Sequence, residues 1–115
     1  MINPTKLDSL FETAEFVPQA IIGQPITTIV RRLDVDFERG YDDLDSYEGI
    51  GLMLNNELPF ALMHYKGHPE DTFTIYLADQ IRDVDQITHI IGDIVTELGV
   101  SEDQIIWQRK DGIEL

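Results

Sequence analysis

A chain of 115 residues with a hydrophobic fraction of 43% and a charged fraction of 26% has the size and composition of one ordinary globular domain, spanning residues 1–115. Fibrous and wholly disordered classes are excluded, and with no cysteine so are disulfides, thiolate metal sites and cysteine nucleophiles. The 22 acidic residues against eight Lys and Arg leave a net charge of −14, a field that repels phosphate backbones and anionic lipids and so disfavours direct nucleic-acid binding.

Asn3 followed by Pro4 reads as a helix start, a capping side chain and then a residue whose fixed φ suits the first turn. Leu7, Leu10, Phe11 and Ala14 recur at helical spacing, which predicts an amphipathic helix from Pro4 to about Phe16, ended by Pro18. Gly23-Gln24-Pro25 repeats the breaker-then-start arrangement. Ile26, Ile29, Val30 and Leu33 then fall on one helical face and give a second short helix; a strand competes, since Ile26 to Val30 is β-branched, but adjacent Arg31 and Arg32 break strict alternation and keep Pro25 to Leu33 on the helix side.

From Tyr47 the period changes to two. Ile50, Leu52 and Leu54 alternate with Gly51 and Met53, Asn55-Asn56 supplies a tight turn, a strand returns from Leu58 to about Tyr65, and Phe73, Ile75 and Leu77 alternate with Thr72, Thr74 and Tyr76. These make a three-stranded meander. Val84, Ile87, Ile90, Ile91, Ile94, Val95 and Leu98 form the stripe of one long amphipathic helix, with Asp83 and Gln86 as a capping box and Gly99-Val100 as its C-terminal cap. Ile105-Ile106-Trp107-Gln108-Arg109 reads as a final strand, and if it runs parallel to the Phe73–Ala78 strand the helix is a crossover. The expected fold is therefore a single α+β domain. Its mainly antiparallel sheet, the meander plus a C-terminal strand, is packed on one face by the long helix, with one or two N-terminal helices.

Motifs that carry chemistry are mostly missing from the sequence. Ser9, Ser46 and Ser101 lie in no nucleophile elbow, Gly49-Ile50-Gly51 is a fragment of a phosphate-binding pattern with no Gly-Lys-Ser/Thr after it, and no cofactor-binding motif is present; an enzyme is not expected. Two stretches fit a metal in part. His64 and His68 lie four apart with Glu70 and Asp71 beyond, but Gly67 and Pro69 interrupt a shared helical face. Asp34, Asp36 and Glu38 begin like a calcium loop, with Gly40 one residue late and Asp45 where a bidentate Glu belongs. Neither earns a metal-site assignment. His89 lies beside the apolar stripe of the long helix.

The densest acidic stretch is Asp34, Asp36, Glu38, Asp42, Asp43, Asp45 and Glu48, opposed by Arg39 alone and punctuated by Tyr41 and Tyr47. Tyrosines supply contact area and carboxylates supply steering. Tyr41, Asp42, Asp43, Asp45, Tyr47 and Glu48 are thus candidate partner-binding residues. The leading expectation is an acidic protein-binding module that masks a basic partner, in the manner of an inhibitor, immunity protein or chaperone. The alternatives are a small ligand- or divalent-metal-binding domain and, third, a carboxylate-dependent enzyme. The first residues, Met1 to Lys6, lack a basic start and apolar run, and no apolar stretch approaches the roughly 20 residues that span a bilayer, so a cytoplasmic chain outside the membrane is expected. Leu58, Phe60 and Leu62 on one face of their strand and Ala61, Met63 and Tyr65 on the other leave a second possibility: if both faces are buried, the second is covered by the N-terminal helices or by another copy in a homodimer.

Overall fold

The computed structural model describes residues 2–36, 38–41 and 46–109, with the backbone alone of Tyr41. In chain order the elements are β1 (Ile2–Thr5), α1 (Leu7–Thr13), β2 (Phe16–Ile22), α2 (Ile26–Leu33), β3 (Glu38–Tyr41), β4 (Ser46–Leu54), β5 (Leu58–Tyr65), β6 (Phe73–Ala78), α3 (Val84–Leu98), a 3-10 turn (Glu102–Gln104) and β7 (Ile105–Gln108). The seven strands form one antiparallel sheet in the order β1-β4-β5-β6-β2-β7, with β3 also on β4. Strands β1 and β3 pair with different stretches of β4, one with residues 51–54 and the other with 46–49. The chain is an α+β domain larger in its sheet than the expected four strands.

Sequential strands β4, β5 and β6 lie side by side. The first hairpin turns on Asn55 and Asn56, both in the left-handed region at φ 55° and 59°, closed by a bond from the Glu57 N–H to the Leu54 carbonyl at 3.0 Å. Asparagine tolerates that conformation better than other side-chain-bearing residues, so the dipeptide sets the turn and with it the register. One face of the sheet carries Ile22, Ile50, Leu52, Phe60, Leu62, Phe73, Ile75 and Leu77, all buried beneath α2 and α3. Helix α3 contributes Ile87, Ile90, Ile91, Ile94, Val95 and Leu98 to this core, the residues of the stripe apart from Val84. Residues 26–33 form helix α2, which buries Ile26 and Ile29. Burial of that one face outweighs the extended preference of the β-branched run.

Helix α3 starts at Asp83, but the carboxylate makes no capping bond and the expected capping box with Gln86 does not form. At the other end Gly99 takes φ 73°, its N–H donates to the Thr96 carbonyl at 3.1 Å, and the Val100 N–H reaches the Val95 carbonyl at 2.9 Å. Arg32 of α2 donates through Nη1 to the Leu98 carbonyl, so a cation satisfies one of the carbonyls that the helix end leaves unpaired. Arg32→Ala is expected to lower stability by about 1 kcal/mol, read as a shift in the denaturant midpoint without a change in slope.

The opposite face is not open, and this corrects the expectation of helix on one side only. Helix α1 lies across β4 and β5 there, where Leu7, Ala61 and Met63 form a second buried cluster flanked by Phe11, Tyr47, Tyr65 and Tyr76. The second face of β5 is thus covered by the N-terminal helix. Glycines at 49 and 51 allow this approach: a Cβ on Gly51 would lie 2.9 Å from the Leu7 nitrogen and 3.0 Å from the Thr5 carbonyl oxygen, and one on Gly49 would lie 2.9 Å from the Leu7 side chain. The small residues serve close packing, not phosphate binding.

Strand pairing overrides two helix boundaries that proline suggested. Asn3 and Pro4 belong to β1, where Pro4 pairs with Leu52 on an edge strand that needs no donor from it, and α1 is confined to 7–13. Pro18 does not end a helix but sits inside β2, at the bulge between Pro18 and Ala20 where the register with β6 shifts. The α1 N-terminus is capped from a distance, by a bond of 2.6 Å from the Leu7 N–H to Glu38 Oε2. Strand β7 is antiparallel to β2, as is β6, so β6 and β7 run parallel with β2 between them and α3 carries the chain across.

Candidate functional site

Strands β3 and β4 form a hairpin whose connection carries the aspartates singled out above. Arg39 faces Glu48, Gly40 faces Tyr47 and Tyr41 faces Ser46; Asp42, Asp43 and Asp45 lie outside the described residues. Beside this hairpin end is a cleft of about 640 Å³ lined by Arg39, Gly40, Ser46, Tyr47, Glu48, His64, Lys66 and Glu70. The cleft joins the two stretches that the sequence suggested separately, the acidic segment and the His64 region, because β4 and β5 place Glu48 directly opposite His64 and Tyr47 opposite Tyr65.

Tyr47 is half-buried and has two roles. Its ring packs against the Leu7–Ala61–Met63 cluster and lies 5.5 Å from the Tyr65 ring, which in turn is 5.7 Å from His68. Its phenol reaches over Gly40, where a Cβ would come within 2.8 Å of the hydroxyl. The aromatic wall of the cleft is therefore held by the fold, which reduces the ordering cost of any contact it makes. Glu48 meets Arg39 at 3.7 Å, with side chains 38% and 74% exposed. An ion pair so long and so exposed contributes little to stability and is readily exchanged for another cation.

The imidazole of His64 has a local partner: Nε2 lies 3.0 Å from the Pro69 carbonyl oxygen, which also accepts a bond of 2.9 Å from the Thr72 hydroxyl. These contacts close the β5–β6 loop. His68 stacks on Tyr65, and His89 meets Asp93 at 3.5 Å on the exposed side of α3. Of the calcium-loop candidates, Asp34 caps α2 in the left-handed conformation and Glu38 holds the start of α1. Among the described residues no group of three His, Asp or Glu side chains is gathered so as to hold a metal ion. Ser46 lines the cleft, and the Ser101 N–H donates to Gln104 Oε1 at 3.3 Å in the turn before β7.

Two cleft residues went unrecognised in the sequence. Arg39 had a signal, as the lone base in the acidic segment, but Lys66 had none, since what brings it to the hairpin is strand pairing, with a bond from its N–H to the Ser46 carbonyl at 2.9 Å. No described helix is long and apolar enough to cross a membrane. The chain matches no family model, no curated protein and no solved structure.

Proposed function

We propose that the chain is an acidic protein-binding module that masks a basic partner, an inhibitor, immunity or chaperone-like role, through Tyr41, Asp42, Asp43, Asp45, Tyr47 and Glu48. The observation that supports this reading is the cleft beside the end of the β3–β4 hairpin, lined by Glu48 and the packed Tyr47, at strand ends that the aspartates join in sequence. Aspartates at 42, 43 and 45 draw in Lys and Arg side chains and take the place that phosphates occupy on a nucleic-acid-binding surface. A partner's guanidinium or ammonium displaces Arg39 from Glu48, while its aliphatic stem lies against Tyr47. The role is occlusion, without a bond made or broken, in a cytoplasmic setting.

A fluorescent Arg/Lys-rich peptide serves as the probe in anisotropy titrations. Affinity is expected to fall steeply with salt, and Asp42→Asn, Asp43→Asn and Asp45→Asn together are expected to weaken binding by about tenfold or more. A control that neutralises Glu57, Asp85 and Asp93, exposed positions outside the hairpin, removes the same charge and is expected to cost much less. Equal losses in the two triple variants would reduce the effect to net charge and overturn the assignment of the hairpin.

A further inference from the structure

At the opposite edge of the sheet from β3, strand β7 is bonded to β2 on one side and has no strand on the other among the described residues. Such an edge offers backbone donors and acceptors to any second extended chain, and proteins commonly protect it with charges or proline within the strand. β7 reads Ile105-Ile106-Trp107-Gln108 and carries neither. Ile106 is instead 63% exposed and Trp107 41%, the large hydrophobic side chains left to solvent among the described residues. A bulge makes Ile106 the extra residue opposite Ile21 and Ile22, which keeps the regular edge short.

The strand also has a charge direction. Glu102 and Asp103 lie in the turn that leads into it, and Arg109, with Lys110 next in sequence, leaves it. Arg109 is anchored there: its N–H donates to the Gln19 carbonyl at 2.9 Å, its Nε to the Pro18 carbonyl at 3.2 Å, and its guanidinium carbon lies 5.9 Å from the Trp107 ring centre. A strand with an acidic start and a basic end is complementary to itself when antiparallel and repels itself when parallel. The net charge of −14 opposes association of two copies. Across a strand spacing of about 4.8 Å, however, facing charges interact well inside the screening length of about 8 Å at physiological salt.

We propose that β7 is a self-association edge: two copies pair their β7 strands antiparallel about a two-fold axis, with Glu102 and Asp103 of each facing Arg109 of the other and Trp107 at the seam. The two sheets become one, and the two β3–β4 hairpins stand at its outer ends, a bivalent arrangement. So short an edge falls below the roughly 1,000 Å² that a stable specific interface clears, so the dimer is weak and exchanges.

The chain has a single tryptophan, and it lies at the seam, so mass and environment can be read together. Sedimentation velocity from about 1 to about 500 µM is expected to pass from monomer toward twice the mass, the range following from so small an interface. Trp107 emission is expected to shift to the blue over the same concentrations. Ile106→Lys, at an exposed position, is expected to abolish both changes. The charge variants decide the geometry. If net charge governed association, the Glu102→Lys/Asp103→Lys pair would strengthen the dimer; head-to-tail pairing requires that pair to weaken it, Arg109→Glu to weaken it as well, and the three combined to restore it. A monomer at every concentration would overturn the proposal, as would a dimer indifferent to Ile106→Lys, a stronger dimer in the Glu102→Lys/Asp103→Lys variant, or failure of the combined variant to recover.

Discussion

Gly51→Val is expected to destabilise the chain by about 3 kcal/mol, at the upper end of the cost of overpacking a closed contact, with a fall in Tm on the order of 12 °C or more. What a side chain would meet at position 51 is backbone: the Leu7 nitrogen, the Thr5 carbonyl oxygen and the Leu7 Cα, all within 3.1 Å of the new Cβ. Backbone cannot rotate aside as a side-chain tip can, so β1 and the first turn of α1 would have to move off β4 together. That movement would uncover Ala61 and Met63 and break the bond from the Leu7 N–H to Glu38. Gly40→Ala is the comparison, since its new methyl meets the Tyr47 hydroxyl and ring, a side chain and not backbone, and is expected to cost less. Thermal melting by circular dichroism separates them; a Gly51→Val protein as stable as the parent would show that α1 does not lie against β4 in this way.

Gln19→Met is expected to act in the other direction and raise stability by about 2 kcal/mol. Gln19 is fully buried at the β2 bulge, and neither atom of its side-chain amide has a hydrogen-bond partner among the described residues. Each buried polar group left unpaired costs about 1–3 kcal/mol, whereas methionine fills a similar volume without polar atoms and adapts to irregular space. The main-chain role is kept, because the Gln19 carbonyl still accepts from the Arg109 N–H and holds β7 on β2. Urea unfolding followed by Trp107 emission reads the change as a shifted midpoint at constant slope. A lower midpoint would mean that the amide is bonded in solution and stabilises the bulge.

The two substitutions differ in what could have been foreseen. Gly51 stands in a strand with a clear alternating pattern, and a glycine there already suggests that something packs close, although the sequence does not say which element. Gln19 gave no warning, because β2 itself went unread: Pro18 looks like the end of a helix, and only its place at a bulge between β6 and β7 makes it compatible with a strand. β3 was hidden for a related reason. Glu38-Arg39-Gly40-Tyr41 has no apolar alternation, and it becomes a strand only by pairing with β4 across the hairpin.

The sequence makes legible the elements whose signals are local and periodic. The stripe of α3, its Gly99 stop, the alternation of β4, β5 and β6 and the Asn55-Asn56 turn each concern residues within a few positions of one another, where backbone sterics and the burial of one face decide the outcome. It also located the charge, from Asp34 to Glu48, but not what that charge would stand beside. Long-range packing sets the rest: that α1 covers the second face, that Glu38 caps a helix beginning 31 residues earlier, and that Glu48 and His64 share a cleft. These depend on pairing between segments distant in the chain, whose energies come from contacts that exist only once the sheet has closed, and no short-range pattern encodes them.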